Sequence, residues 1–201
     1  MDKRQIFTNT RDIDRFLQAV DEFNVIEPIG SIYENSFRKN QPKRSRTKQK
    51  KLVNIICYCL NPNHYHLLLE QAAERGIEKF MHRLGVGYTN YFNLKNKRSG
   101  VLFQGAFKAI HIDTNDYLLR LGAYINLNFK VHQLGNRVPK LYKSSWNEYL
   151  QLQPENNFCD KDIILKQFKN IIEYKEFANE ALMDTLRRRT DDDISKVLLE
   201  N

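Results

Sequence analysis

Residues 53–70 read VNIICYCLNPNHYHLLLE, and this stretch decides the fold class. Residues 53–60 form a continuous run of apolar, β-branched and aromatic side chains, which predicts a buried strand. Asn61, Pro62 and Asn63 have the chemistry of a turn, and a second strand is predicted over residues 64–70. Because only a short polar link separates the two strands, we expect an antiparallel hairpin.

The regions on either side of this hairpin carry mainly helical patterns. They predict an amphipathic helix at about 11–24, a long helix ending before Lys95, and further helices at about 161–170 and 172–189. A strand is predicted over 102–112, in which Gly105 marks a bulge or a close backbone approach. A helix capped by Thr114 or Asn115 is predicted over 115–128. No crossover helix lies between the two adjacent strands. The sequence therefore predicts an α+β fold with an antiparallel sheet, rather than a doubly wound one.

The charge of the chain is positive and unevenly distributed. The 201 residues have a formal net charge of +8, and residues 151–201 hold 8 Lys/Arg against 11 Asp/Glu. Residues 1–150 hold the other 24 Lys/Arg and 13 Asp/Glu. A body this basic suits a polyanionic partner, and nucleic acid is the commonest such partner.

Membrane, secreted and disulfide-rich classes are disfavoured. No apolar run approaches the roughly 20 residues that a membrane span requires, and the polar N-terminus does not read as a signal peptide. We therefore expect a cytoplasmic protein without a membrane partner. The three cysteines are an odd number with no CxxC pair, and Cys57 and Cys59 are interpreted as packed small hydrophobes.

Residues 38–51 (RKNQPKRSRTKQKK) contain eight basic side chains and no acidic one. They are interpreted either as a solvated loop or as an arm that contacts phosphates and orders on DNA. The candidate phosphate contacts are Lys43, Arg44, Arg46 and Lys48 in this segment, together with Lys108 and Arg120. Tyr88 and Tyr91 are expected either to stack on bases or to pack in the core.

His64 and His66 alternate on the predicted second strand, so both side chains leave the same face. Tyr65, Leu67 and Leu69 then point to the other face and can enter the core. Two neighbouring imidazoles form a bidentate metal platform, although a pair of structural histidines explains the same pattern.

A second set of polar side chains lies on the predicted helix over 115–128. Tyr117, Tyr124 and Asn128 fall on one stripe, with Tyr124 and Asn128 one turn apart. If the stripe faced the histidines, the amide oxygen of Asn128 would complete a metal site and Tyr124 would supply a phenolic oxygen. Core packing with one hydrogen-bonded hydroxyl is the alternative.

Linked motifs give the chain a resemblance to the HUH single-tyrosine transposases, in the branch of the REP-associated tyrosine transposases and their insertion-sequence-200-like relatives. The motifs are residues 57–69 (CYCLNPNHYHLLL), 85–93 (GVGYTNYFN), 98–105 (RSGVLFQG), 117–120 (YLLR) and 124–128 (YINLN). The resemblance covers about residues 5–150 in the family's order and spacing. It implies a catalytic domain over 1–150, and residues 151–201 are then a helical C-terminal extension.

The resemblance implies a ferredoxin-like antiparallel sheet flanked by helices, in an enzyme that cuts single-stranded hairpin DNA and joins it during transposition. His64, His66 and Asn128 would bind Mg²⁺ or Mn²⁺, and Tyr124 would be the nucleophile that forms a 5′-phosphotyrosine link. Tyr117 is the rival nucleophile, but it lies nearly two turns from Asn128. A homodimer is a further expectation, and the sequence leaves open whether the tyrosine helix serves its own active site or a partner's.

The chain also departs from the family pattern. The family has an N-terminal strand before the segment that begins at Arg4, whereas this chain begins almost at that segment, so this strand of the sheet is expected to be missing. Either the start lies upstream or the protein is a decaying copy. Ala106 stands where relatives often carry Arg, and Phe129 replaces the usual Pro. A nucleic-acid-binding protein without catalysis is therefore the alternative function.

Overall fold

The computed structural model describes residues 4–38, 50–131, 141–152 and 158–199. The helices and strands are α1 (Thr10–Phe23), α2 (Ile32–Arg38), β1 (Val53–Asn61), β2 (His64–Gln71), α3 (Gly76–Lys95), α4 (Asn115–Asn126), α5 (Asn128–Val131), β3 (Lys143–Ser144), α6 (Trp146–Tyr149), α7 (Asp162–Leu165) and α8 (Ile171–Leu199). The hairpin and the helices α1, α3 and α4 lie where the sequence predicts them. Of the two candidate caps for α4 it is Thr114 that acts, because its side chain accepts a hydrogen bond from the Tyr117 N–H.

The sheet has three strands in the order β2, β1, β3. Strand β1 is buried along almost its whole length, as its unbroken apolar sequence predicts. It pairs antiparallel with β3, with Cys59 opposite Ser144 and Leu60 opposite Lys143. The predicted α+β class with an antiparallel sheet is confirmed.

The strand predicted over residues 102–112 is wrong. The structure has neither helix nor strand between residues 99 and 114, and several apolar side chains there are exposed, including Val101 and Ile110. A run of strand-forming residues becomes a strand only if a neighbouring strand accepts its hydrogen bonds, and β1 pairs with β3 instead. Gly105 has a φ of +82°, a left-handed conformation that favours glycine, so it makes a turn rather than a bulge.

Two compact units divide the chain. The first comprises residues 1–54 and 69–110, and the second comprises residues 55–68 and 111–201. Strands β1 and β2 run through both. The predicted division of the chain at residue 150 stays a prediction. None of the helices among the described residues is long and apolar enough to span a membrane.

In the first unit, α1 and α3 pack around a cluster of aromatic rings. The ring of Phe16 lies 5.2 Å from that of Phe7 and 5.0 Å from that of Tyr88. Tyr88 is buried and its hydroxyl donates to the Ile6 carbonyl at 2.7 Å. Tyr88 therefore packs in the core and does not stack on a DNA base, because a base cannot reach a buried ring.

Asp12 is a buried carboxylate that connects α1 with α3. It accepts hydrogen bonds from the Thr8 N–H (2.8 Å) and from Tyr91 Oη (2.9 Å), and it forms an ion pair with Lys95. Burial alone raises the pKa of Asp12, but the hydrogen bonds from Lys95, Thr8 and Tyr91 outweigh it and hold the pKa below its usual 3.8. A lowered folded-state pKa stabilises the fold above pH 3.8, and this stabilisation is lost as pH falls through the folded pKa.

We expect Asp12→Asn to lower the free energy of unfolding at pH 7 by about 2 kcal/mol, the usual contribution of hydrogen bonds to a charged group. The difference between variant and wild type should shrink below pH 3.8, because the carboxylate of the unfolded wild type then takes up a proton while the folded carboxylate, whose pKa is lowered, stays ionised to lower pH. Urea unfolding at pH 7 and at pH 3.5 measures both effects. An equal difference at the two pH values would contradict the prediction.

In the second unit, buried polar side chains hold α4 against its neighbours. Asn126 is fully buried, its Nδ2 donates to Tyr174 Oη at 2.8 Å, and its Oδ1 accepts from Ser145 Oγ at 2.6 Å. Ser145 Oγ also accepts from the Tyr58 N–H at 2.9 Å. Residues of α4, α8 and β1 are therefore joined through one hydrogen-bonded chain, which fixes the position of α4 over the sheet.

We expect Asn126→Leu to destabilise the protein by about 2–4 kcal/mol, because it removes two buried hydrogen bonds, the one donated to Tyr174 Oη and the one accepted from Ser145 Oγ. Asn147→Leu is the matched control, since Asn147 is exposed in the same unit and should change stability by no more than about 0.5 kcal/mol. Thermal unfolding compares the two variants. Equal stabilities of the two would show that the buried chain does not hold α4.

The cysteines of the second unit are free thiols in the core. Cys57, Cys59 and Cys159 are all buried and unpaired with one another. Burial raises the pKa of the Cys59 thiol to about 12, so this sulfur stays protonated at neutral pH. The prediction that Cys57 and Cys59 serve as packed small hydrophobes is confirmed.

Candidate active site

Strand β2 presents the two histidines side by side. The ring centroids of His64 and His66 are 5.1 Å apart and the rings are nearly perpendicular, as expected for alternate residues on one face of a strand. Leu68, next on that face, is buried. A Cβ on Gly122 would lie 3.8 Å from a methyl group of Leu68, so α4 crosses the same face of β2 as the histidines.

The face opposite the histidines is less buried than the sequence predicts. Tyr65 and Leu67 are only half-buried, as is Leu69. The core contact of β2 is made instead by Leu68. The histidine side of the strand therefore faces α4 and the interior of the second unit, and this places the imidazoles next to the helix that carries the predicted tyrosine.

Hydrogen bonds to two asparagines fix the orientation of the His64 ring. His64 Nε2 lies 3.2 Å from Asn61 Nδ2, and His64 Nδ1 lies 2.7 Å from Asn63 Oδ1. An amide nitrogen only donates, so Nε2 accepts, and Nδ1 carries the hydrogen that is donated to Asn63. Burial lowers the pKa of His64, and the neighbouring side chain of Asn128 opposes this shift. The neutral imidazole is favoured, which is the form that binds metals.

Asn128 lies at the break between two helices, beside His64. Helix α4 ends at Asn126, Leu127 is its C-cap, and Asn128 begins α5. The side chain is fully buried and its Oδ1 accepts a hydrogen bond from Asn61 Nδ2 at 2.8 Å. The amide oxygen of Asn128 and the Nε2 atom of His64 thus face one common point.

Asn61 and Asn128 each have one polar atom that lacks a hydrogen-bond partner. Among the described residues, Asn61 Oδ1 and Asn128 Nδ2 are buried and unpaired. A buried polar group without a partner costs about 1–3 kcal/mol, and native proteins carry few such groups. Their position beside two histidines indicates a site that is shaped for a ligand rather than for stability.

Tyr124 comes from α4 to the other side of the histidine pair. Its half-buried ring lies 6.2 Å from the ring of His66. Because His66 is itself next to His64, the structure brings together all four residues that the sequence singled out, His64, His66, Tyr124 and Asn128. Tyr117 belongs to the first turn of the same helix, and Tyr124 is the residue of the stripe whose ring is adjacent to a histidine ring.

The side chains of this cluster include groups that are able to bind a divalent cation. Imidazole nitrogens and an amide oxygen are acceptable ligands for Mg²⁺ or Mn²⁺, and the lone pair of His64 Nε2 and the oxygen of Asn128 point at the same place. Among the described residues, no group of three His, Cys, Asp or Glu could hold a metal. A metal centre of this protein would therefore depend on asparagine in addition to the two histidines.

Two of the predicted phosphate contacts are exposed, and the other four lie outside the described residues. Arg120 is exposed on α4, where it pairs with Asp116 at 3.0 Å. Lys108 is exposed in the irregular segment of the first unit. The four remaining candidates, Lys43, Arg44, Arg46 and Lys48, lie outside the described residues.

Sequence reasoning missed the part played by Asn61 and Asn63. Both were interpreted only as turn residues, yet their side chains hold the two ring nitrogens of His64. The available signal was their position, since asparagines on both sides of Pro62 directly precede the histidines. Because the turn is short, the side chains at its two ends lie close to the first residue of β2.

The HUH single-tyrosine class of DNA-processing proteins has two histidines on a sheet strand. Beside that strand lies a helix that carries a tyrosine, and a polar residue such as asparagine follows the tyrosine. Residues 35–128 match the family model described as "Transposase IS200 like", a segment that includes all four clustered residues. This match, which covers slightly under half of the chain, supports membership of the insertion-sequence-200-like transposase family, and a transposase family implies a DNA substrate. No curated protein and no solved structure matches the chain.

Proposed function

We propose that this protein is a metal-dependent endonuclease and strand transferase that acts on single-stranded hairpin DNA through a 5′-phosphotyrosine intermediate. The observation that most supports the proposal is that the side chains of the candidate site form one cluster. The ring of Tyr124 lies next to the ring of His66, and Asn128 Oδ1 and His64 Nε2 both contact Asn61 Nδ2. A nucleophile and a metal-binding set lie within one compact unit. Membership of a transposase family agrees with this chemistry.

The protein's own residues divide the reaction between them. His64, His66 and Asn128 would hold Mg²⁺ or Mn²⁺, which supplies Lewis-acid polarisation of the scissile phosphate when bound. Tyr124 attacks the phosphorus through its phenolic oxygen and loses its proton to solvent. The bond from phosphorus to the 3′ oxygen breaks, and this oxygen leaves as a free 3′-OH. The leaving 3′ oxygen takes a proton from solvent, and the 5′ end of the downstream fragment stays linked to Tyr124 as a phosphotyrosine.

The same intermediate accounts for strand joining. Because the phosphotyrosine ester keeps the energy of the phosphodiester it replaced, the 3′-OH of another strand can attack it and release Tyr124. Asn63 contributes by holding His64 Nδ1, since ligating histidines are oriented by the partner of their other ring nitrogen.

Positive charge would bring the DNA to the site. The exposed pair of Arg120 with Asp116 is a weak surface ion pair, so a phosphate can replace Asp116 as the partner of Arg120. Lys108 and the basic segment at residues 38–51 belong to the first unit and add further positive charge. Binding should therefore weaken steeply with salt, whether or not the DNA is cut.

A covalent adduct assay tests the proposal. End-labelled single-stranded hairpin DNA is incubated with the protein in Mn²⁺ or in EDTA, and products are separated under denaturing conditions. We expect a labelled protein–DNA adduct and a free 3′-OH fragment in Mn²⁺ only. Salt-dependent binding without any adduct would instead establish the alternative, a DNA-binding protein that has lost catalysis.

A further inference from the structure

Asn61 lies between the two atoms that the proposed function assigns to the metal. Its Nδ2 is 3.2 Å from His64 Nε2 and 2.8 Å from Asn128 Oδ1. One amide group thus directs its two N–H bonds at the two proposed ligand atoms and occupies the point that they share. The end of β1, where Asn61 stands, is therefore part of the site.

This arrangement cannot persist when a cation is bound. The partial positive charge on an N–H group repels a metal ion, and the lone pairs of His64 Nε2 and Asn128 Oδ1 are directed at Asn61. Asn61 is 2% exposed, so its side chain has no open path to solvent. The movement that the packing allows is a half-turn of the amide about the Cβ–Cγ bond, because the two ends of an amide are nearly equal in size.

We propose that Asn61 is a further metal-binding residue, which turns its amide so that Oδ1 replaces Nδ2 and completes a site with His64, His66 and Asn128. This inference rests on the proposed function. The half-turn places Oδ1 at the position that Nδ2 now occupies, next to His64 Nε2 and Asn128 Oδ1. It also gives a role to Asn61 Oδ1, which is buried and unpaired among the described residues.

The distances around Asn61 suit this role. Mg²⁺ binds oxygen at about 2.1 Å in octahedral geometry, so neighbouring ligand atoms lie about 3 Å apart. The terminal atom of Asn61 is separated from its two neighbours by 3.2 and 2.8 Å. Two asparagine oxygens and two imidazoles make a neutral ligand set, which leaves the charge of the cation available to a phosphate.

Mn²⁺ binding to the full chain without DNA tests the inference, with free Mn²⁺ measured by electron paramagnetic resonance. Asn61→Leu removes the amide at similar volume, and Asn61→Asp supplies an oxygen at both terminal positions. Asn147→Asp adds the same charge at an exposed position of the same unit and is the control. His64→Ala identifies the binding that belongs to this site.

We expect His64-dependent binding of Mn²⁺ that is about tenfold weaker in Asn61→Leu, a usual effect of altering a metal site, tighter in Asn61→Asp, and unchanged in Asn147→Asp. Binding in Asn61→Leu as tight as in wild type, or tighter, would overturn the inference and leave the metal site intact. If His64→Ala binds Mn²⁺ as tightly as wild type, the proposed metal site is wrong as well. If Asn61→Leu fails to fold, Asn61→Ala removes the same oxygen and takes its place in the comparison.

Discussion

Tyr124→Phe is expected to form no covalent adduct with single-stranded hairpin DNA and to cut it at least about 1000-fold more slowly than wild type. The loss is this large because the change removes the oxygen that is proposed to attack phosphorus, and the loss of a catalytic nucleophile costs an enzyme several orders of magnitude. The phenyl ring remains, so its contact with His66 and the packing of α4 are retained. Denaturing gels with end-labelled DNA measure both the adduct and the cut.

Tyr117→Phe is the matched control, since it makes the same change on the same face of α4 about two turns earlier. We expect it to keep the adduct. A gel-shift titration should give the same DNA affinity for wild type and Tyr124→Phe, which separates loss of chemistry from loss of binding. An adduct that survives in Tyr124→Phe and vanishes in Tyr117→Phe would transfer the nucleophilic role to Tyr117.

His64→Ala is expected to reduce Mn²⁺-dependent cutting by about 100-fold or more, because it removes Nε2 and with it one of the proposed metal-binding groups. The effect should be largest at low Mn²⁺ concentration, since a weakened site can be filled in part by mass action. Cutting rates over a series of Mn²⁺ concentrations measure it. His82→Ala, at an exposed position of α3 in the first unit, should behave as wild type.

Two other outcomes for His64→Ala would count against the proposed function. Cutting at the wild-type rate at every Mn²⁺ concentration would mean that the histidine pair is structural, the alternative that the sequence left open. A loss of cutting accompanied by unfolding would not bear on catalysis, so circular dichroism of the variant accompanies the assay. His66→Ala, on the same face of β2, should then reproduce the catalytic loss in a folded protein.

Local sequence patterns predicted most of the fold. The apolar run of β1, the turn at Pro62 and the alternation of β2 are encoded in consecutive residues, so the hairpin could be predicted directly. The cap of α4 by Thr114 is equally local. Pattern alone failed at residues 102–112, where strand-forming side chains lack a strand partner. It also missed β3, because two residues are too few to produce a recognisable pattern.

The sequence predicted which residues form the candidate site, but not how they contact one another. Alternation placed His64 and His66 on one face, and helical spacing placed Tyr124 and Asn128 on one stripe. That α4 lies across β2 depends on side chains far apart in the chain, such as Asn126 with Tyr174 and Ser145. No local pattern reports those contacts, so the roles of the four residues in catalysis stay predictions until the variants are measured.

The sequence by itself determined the α+β class, the hairpin with its two histidines and the helix with its tyrosine, because these depend on the preferences of neighbouring residues. Only the tertiary structure decided which strand joins β1, which face of β2 meets α4, and that Asn61 stands between His64 and Asn128. These features depend on the packing of distant segments, where burial and hydrogen bonding act in three dimensions. The metal site proposed for this protein depends on such contacts between distant segments.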